Sequence, residues 1–193
     1  GGSTTVNWTS SFRTPPATLA FWRERFGLSE FTEAALAPWF DQAEARLSIG
    51  DWLTAPNENN ELLRTAANRL GISAAGIRRN VKGCWNLGSC GMGCPTNAKQ
   101  SMLVTTLPAA LDAGATLLVR TRVAALELTG GRVQALRCQP MAADGTAGPG
   151  GTRIVARHVV VAGGAINSPA LLMRSGVPDP RGHLGRRTFL HPV

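Results

Sequence analysis

The fold turns on how residues 159–169, VVVAGGAINSP, are read. Val159, Val160, Val161 and Ala162 show no polar alternation, which is the texture of a strand covered on both faces in a parallel sheet. Gly163 and Gly164 follow directly, and Asn167-Ser168-Pro169 leads into a short helix predicted over 170–174. A buried strand that runs through glycines into a helix start aims free backbone N–H groups and the positive helix end at an anion. The stretch therefore predicts an α/β fold with a phosphate-facing turn.

Upstream of it, 116–120, 122–128, 132–139 and 153–162 are rich in Val and Leu, with Gly130-Gly131 and Asp144-Gly145 between them. This is the pattern of a β-meander that feeds the apolar run. Residues 15–72 read as largely helical, opened by Pro15-Pro16 and closed by Gly71, with a break or kink expected at Pro38. Their Trp, Phe and Leu side chains are expected in the core. A further helix is predicted over 100–113, kinked at Pro108 and ended by Gly114. The segments divide at 1–14 (a loop), 15–82 (helical), 83–114 (a Cys-rich loop and helix) and 115–193 (β-meander, buried strand and helix).

With 193 residues, 44% of them hydrophobic, the chain can bury a core as one large domain or a domain with a lobe. Its net charge of +8 comes almost wholly from arginines spread along the chain, lysine occurring only at Lys82 and Lys99. Nucleic-acid binders cluster basic residues beside aromatics, whereas aromatics here are 6% with no Tyr, so an anionic cofactor explains the charge better than nucleic acid. No apolar run reaches the ~18 residues of a transmembrane segment, and the N-terminus lacks signal-peptide character. An opening on Gly1-Gly2 rather than Met suggests a piece of a longer chain, leaving cytoplasm and periplasm both open. Asn7-Trp8-Thr9 is formally a glycosylation acceptor, but nothing else argues for secretion.

Three of the four cysteines fall in GCWNLGSCGMGCPTNAKQS, residues 83–101. Gly91-Met92-Gly93 lacks the third glycine of G-x-G-x-x-G, which removes a phosphate cradle there. Structural zinc prefers closely paired ligands and a fourth Cys or His, which this stretch does not offer. Two readings of Cys84, Cys90 and Cys94 stay open: reduced thiols packed as small hydrophobes, or three ligands of an iron-sulfur cluster. Lys99 is read as a solvated helix start rather than a cation near phosphates, and Cys138 as core.

Taken together, GGSTTVNWTSSFR at 1–13, GCPTNAK at 93–99 and GGAINSPALLMRSG at 163–176 resemble the glucose-methanol-choline (GMC) oxidoreductases, flavoenzymes that oxidise alcohols. The resemblance implies part of a Rossmann-like FAD-binding domain. It places Gly1, Gly2, Ser3 and Asn7 along the flavin and its diphosphate, Val123 against the adenine through its backbone, and Ala162, Gly163 and Gly164 beside the adenosine half. The cysteine spacing is similar to that of family members holding a [3Fe-4S] cluster, although Trp85 stands where those carry an extra cysteine.

Two parts of the family pattern have no counterpart: the N-terminal G-x-G-x-x-G unit and the C-terminal catalytic His segment. His191 matches a stretch well before the latter and is read as structural, and neither His158, in a strand, nor His183, in a loop, suggests a catalytic triad. The chain is thus expected to be a central fragment of an FAD-dependent enzyme that oxidises CH-OH groups (alcohol, polyol, sugar or sterol), inactive alone, and serving an electron acceptor such as oxygen, quinone or cytochrome. The rival reading is a non-catalytic metal- or nucleotide-binding module built on the Cys84, Cys90 and Cys94 loop.

Overall fold

The structure is a computed structural model that describes residues 2–189. The chain is a mixed α/β protein that divides into two compact units, Gly1–Ala115 and Thr116–Val193.

The first unit opens with a 3-10 turn, Gly2–Thr5. Helix α1, Pro16–Phe26, starts on a proline whose preset φ suits the first helical position, and it ends at Gly27 in the left-handed region (φ 66°). Helix α2, Glu33–Arg46, is capped by Thr32, whose hydroxyl accepts the Ala35 N–H at 3.1 Å. Strand β1, Ile49–Gly50, pairs antiparallel with β2, Arg79–Asn80. Between them lies α3, Glu58–Arg69, capped by the Asn57 side chain, with Gly71 just beyond its end at φ 68°. The last helix of the unit is α4, Thr106–Asp112.

Three expectations for this unit change. Helix α2 runs through Pro38 without a break. The lost hydrogen bond is offset by anchors further along the helix: Arg13 bonds Asp41 and Glu44, and Arg78 bonds Glu44 from a second side. The helix expected over 100–113 shrinks to α4, where Pro108 falls in the first turn and its missing N–H costs nothing. The helical side chains are also far less buried than their spacing implies: Leu19 is fully enclosed, whereas Phe21, Phe26, Trp39, Leu62, Leu63 and Leu70 are exposed. Amphipathic spacing shows which face can be buried, not that a partner covers it.

The second unit is a three-stranded antiparallel meander in the order β3-β4-β5, comprising Thr121–Thr129, Arg132–Pro140 and Thr152–Ile154. Gly130 and Gly131, at φ 57° and 76°, make the tight β3–β4 hairpin that two consecutive positive φ values require. Ala125, Leu126, Ala135 and Cys138 form its buried core, Cys138 as expected. Helix α5, Gly164–Arg174, starts six residues earlier than predicted and is tied back to the sheet by Ser175. The Ser175 hydroxyl accepts the Leu126 N–H at 2.8 Å and donates to the Leu171 carbonyl at 2.7 Å.

Residues 159–162 do not form the doubly covered parallel strand predicted for them. Strand β5 stops at Ile154 and pairs antiparallel with β4, and every strand pairing among the described residues is antiparallel. Val155 and Val160 are 67% and 87% exposed, and Ala162 is exposed as well. A strand of this composition needs a partner at each edge and a layer on each face, and this unit supplies neither to residues 155–163. His158 accordingly lies outside any strand and is exposed.

Candidate functional site

In the first unit the N-terminal segment is built onto the cysteine loop through two basic side chains. Lys99 is 3% exposed, and its Nζ donates to the Asn7 carbonyl at 2.7 Å and to the Cys90 carbonyl. None of the ion pairs among the described residues includes it. Desolvating an ammonium costs several kcal/mol, so the two charge-assisted bonds to carbonyls are what hold it inside. The expectation of a solvated Lys99 is therefore overturned. Thr4 adds a third tie, its Oγ1 accepting the Met102 N–H at 3.0 Å.

Arg79 makes the second connection. Its Nε donates to Thr9 Oγ1 at 2.6 Å and its Nη2 to the Trp8 carbonyl at 2.9 Å, while the guanidinium stacks over the Trp52 ring at 4.2 Å. Thr9 is fully buried at φ 67°, a backbone state that a β-branched residue adopts only when its surroundings enforce it. The Trp8 indole lies over Gly91, where a Cβ would stand 2.8 Å from the ring, so this approach requires glycine. The sequence signal for Thr9 and Arg79 was nil, since their roles exist only when residues some seventy positions apart meet.

This framework borders a cleft of about 510 Å³ lined by polar and apolar groups, among them Thr5, Met92, Cys94, Asn97, Lys99 and Leu103. Gly2 lies in the turn beside Thr5 at φ 58° with open space where a Cβ would point, and Ser3 accepts the Val6 and Asn7 N–H groups through its carbonyl. Gly1 and His191 lie outside the described residues. Burial pushes the Cys94 thiol up. Hydrogen bonds from the Thr96 hydroxyl and from the backbone of Lys99, Thr96 and Ala98 outweigh that and hold it at about 7.

Cys84, Cys90 and Cys94 also line a smaller cavity of about 160 Å³ together with Trp8, Trp52 and Trp85. Their sulfurs are engaged separately: Cys84 Sγ accepts the Asn86 N–H, Cys90 Sγ an N–H of Arg79, and Cys94 Sγ meets the Thr96 hydroxyl at 3.4 Å. Among the described residues no three His, Cys, Asp or Glu side chains stand close enough to hold a metal ion, so the [3Fe-4S] expectation finds no support.

The remaining expected positions lie in the second unit. Val123 is half-buried in β3, paired with Cys138 beside a bulge at Ala124, and β3 is one of the two outer strands of the sheet order. Ala162 precedes the start of α5, Gly163 is its N-cap with no side-chain cap bond, and Gly164 has φ 85° with nothing near a Cβ position. Gly2 in the first unit and Gly164 in the second each leave the backbone unscreened by a side chain at a positive φ.

A family model described as GMC oxidoreductase matches residues 1–193, the whole chain. The chain belongs to the GMC oxidoreductase family, a family of FAD enzymes. Its relatives include an uncharacterized GMC-type oxidoreductase of Mycobacterium tuberculosis, 38% identical over 195 residues, which covers all of this chain and 30% of that protein. Another, of Sinorhizobium fredii, is 32% identical over 193 residues, all of this chain and 37% of that protein. A long-chain-alcohol oxidase of Arabidopsis thaliana is 29% identical over 199 residues, again all of this chain and 26% of that protein. The chain thus spans between 26% and 37% of the length of these curated relatives. No helix among the described residues is long and apolar enough to cross a membrane.

Proposed function

We propose that this chain is the part of an FAD-dependent alcohol oxidoreductase that lines the flavin and its adenosine half. When bound, FAD supplies the hydride acceptor, N5, for oxidation of a carbinol carbon. The chain's own residues bind and orient. Gly1, Gly2, Ser3 and Asn7 line the flavin and diphosphate, with Lys99 holding the Asn7 carbonyl in place. Val123 offers outer-strand backbone to the adenine, and Ala162, Gly163 and Gly164 give an open helix start to the adenosine half. The observation that carries this reading is the glycine-bearing turn Gly2–Thr5, tied beside a 510 Å³ cleft through Thr4 to the Met102 N–H and followed by an Asn7 carbonyl held by the buried Lys99. An alcohol substrate is favoured by the long-chain-alcohol oxidase among the relatives, and oxygen, a quinone or a cytochrome fits as acceptor.

The test is flavin content and affinity of the full-length protein. A yellow protein with bound FAD is expected, and Gly164→Val should weaken FAD binding roughly tenfold by forcing a branched side chain to φ 85° at the helix start. Gly145→Val, at φ 83° in the hairpin loop, imposes similar strain and should leave FAD binding unchanged. A full-length protein that neither carries flavin nor binds added FAD would sink the reading.

A further inference from the structure

The proposed function uses none of the loop cysteines, yet the fold gathers three of them around one small cavity. We infer that Cys94 and Cys90 are a redox-active thiol pair that a peroxide closes into a disulfide, making the loop a modification site beside the 510 Å³ cleft.

Cys94 lines both cavities, so a small oxidant entering the larger cleft meets this residue. The Thr96 hydroxyl at 3.4 Å, with backbone donors around the same sulfur, stabilises negative charge there during attack. Cys90 Sγ accepts from a cation, the Arg79 guanidinium at 3.7 Å. Cys84 is committed instead to its own turn through the Asn86 N–H at 3.3 Å. Gly91-Met92-Gly93 joins the pair, and Gly93 at φ 87° occupies backbone space closed to other residues. A disulfide needs the two Cα atoms within ~4.4–6.8 Å, and closing the bridge therefore requires this glycine-flanked turn to bring them there.

The chemistry balances in two steps. The Cys94 thiolate attacks one peroxide oxygen, the O–O bond breaks, and Cys94 becomes a sulfenic acid as hydroxide leaves and is protonated to water. The Cys90 thiolate then attacks the Cys94 sulfur and expels a second hydroxide, giving one S–S bond and a second water. Two thiols are oxidised and one peroxide is reduced. Peroxide is the two-electron product of dioxygen, so an oxygen-dependent alcohol oxidation would produce it near this cleft. The pairing itself does not rest on bound flavin.

The experiment treats the reduced full-length protein, with and without added FAD, with one equivalent of hydrogen peroxide. Remaining thiols are then alkylated, and the protein is digested without reductant for mass spectrometry. A Cys90–Cys94 bridge reversed by dithiothreitol is expected, with Cys84 and the buried Cys138 still alkylated. In Cys90→Ser, dimedone should label Cys94 as the sulfenic acid. In Cys94→Ser, Cys90 should stay reduced. A bridge from Cys94 to Cys84, a Cys94 that remains alkylatable after peroxide, or iron and acid-labile sulfide bound by the loop thiols would each overturn the inference. Failure of FAD to bind would leave the bridge intact, which separates this outcome from that of the flavin reading.

Discussion

At the scale of single residues, Cys94 shows how much chemistry a short loop can concentrate. Folding moves its thiol from an ordinary 9.0 down to about 7, despite the opposing effect of burial, because the Thr96 hydroxyl and backbone donors favour the thiolate. About half of it is therefore ionised at neutrality, where an unperturbed thiol is a few per cent thiolate. Iodoacetamide should modify Cys94 in the full-length protein with a midpoint near pH 7, and a midpoint at an ordinary thiol value would contradict the geometry. The linkage to stability follows the same sign. Because the folded value is the lower one, this group's contribution is complete above about 9 and is lost as pH falls through about 7. Lys99, in the same loop, was legible as a cation but not as a buried one. Its burial depends on the Asn7 and Cys90 carbonyls, which no local pattern brings to it.

At the scale of elements, the prolines separate local preference from tertiary support. Pro38 in α2 and Pro169 in α5 each stand inside a helix, past the first turn, where a missing N–H leaves a carbonyl without its bond. Pro38 is exposed, so replacing it needs no repacking. Pro38→Ala should stabilise α2 by about 2 kcal/mol, being the helix-propensity gain less the unfolded-state entropy that proline removes. In hydrogen exchange this appears as roughly 30-fold slower exchange of α2 amides, and an unchanged rate would mean that opening is governed elsewhere. The turn signals were more legible than the helix lengths. Gly71, Gly114 and Gly130-Gly131 all take the positive φ that their end-of-element and hairpin positions require.

At the scale of the whole molecule, both units leave much of their apolar side-chain surface uncovered. Apolar side chains from Phe12 to Phe189 remain exposed, and the buried apolar set among the described residues is confined to Leu19, Ala98, Ala125, Leu126, Ala135 and Cys138. So little buried area does not offset the conformational entropy of ordering the chain. The 193-residue chain expressed alone should bind a hydrophobic dye strongly and melt without a cooperative transition. A sharp calorimetric transition with no dye binding would show that these two units suffice. Residues 155–163 are the clearest instance: the composition of a core strand was legible, but no strand or layer in this unit accompanies it.

The sequence by itself determined the features that depend on a few neighbouring residues: the helix stops, the β3–β4 hairpin, the meander that follows from it, and the glycines near the cleft and at the start of α5. These are settled by steric limits on φ and by hydrogen bonds spanning three or four positions, so they are written locally. The tertiary structure alone decided that Lys99 is buried on the Asn7 and Cys90 carbonyls, that Thr9 is held at φ 67° by Arg79, that α2 continues through Pro38, and that residues 155–163 stand unpaired. Each of these depends on which distant groups meet, or fail to meet, once the chain has folded, and a buried charge or an unpartnered strand has no meaning before then.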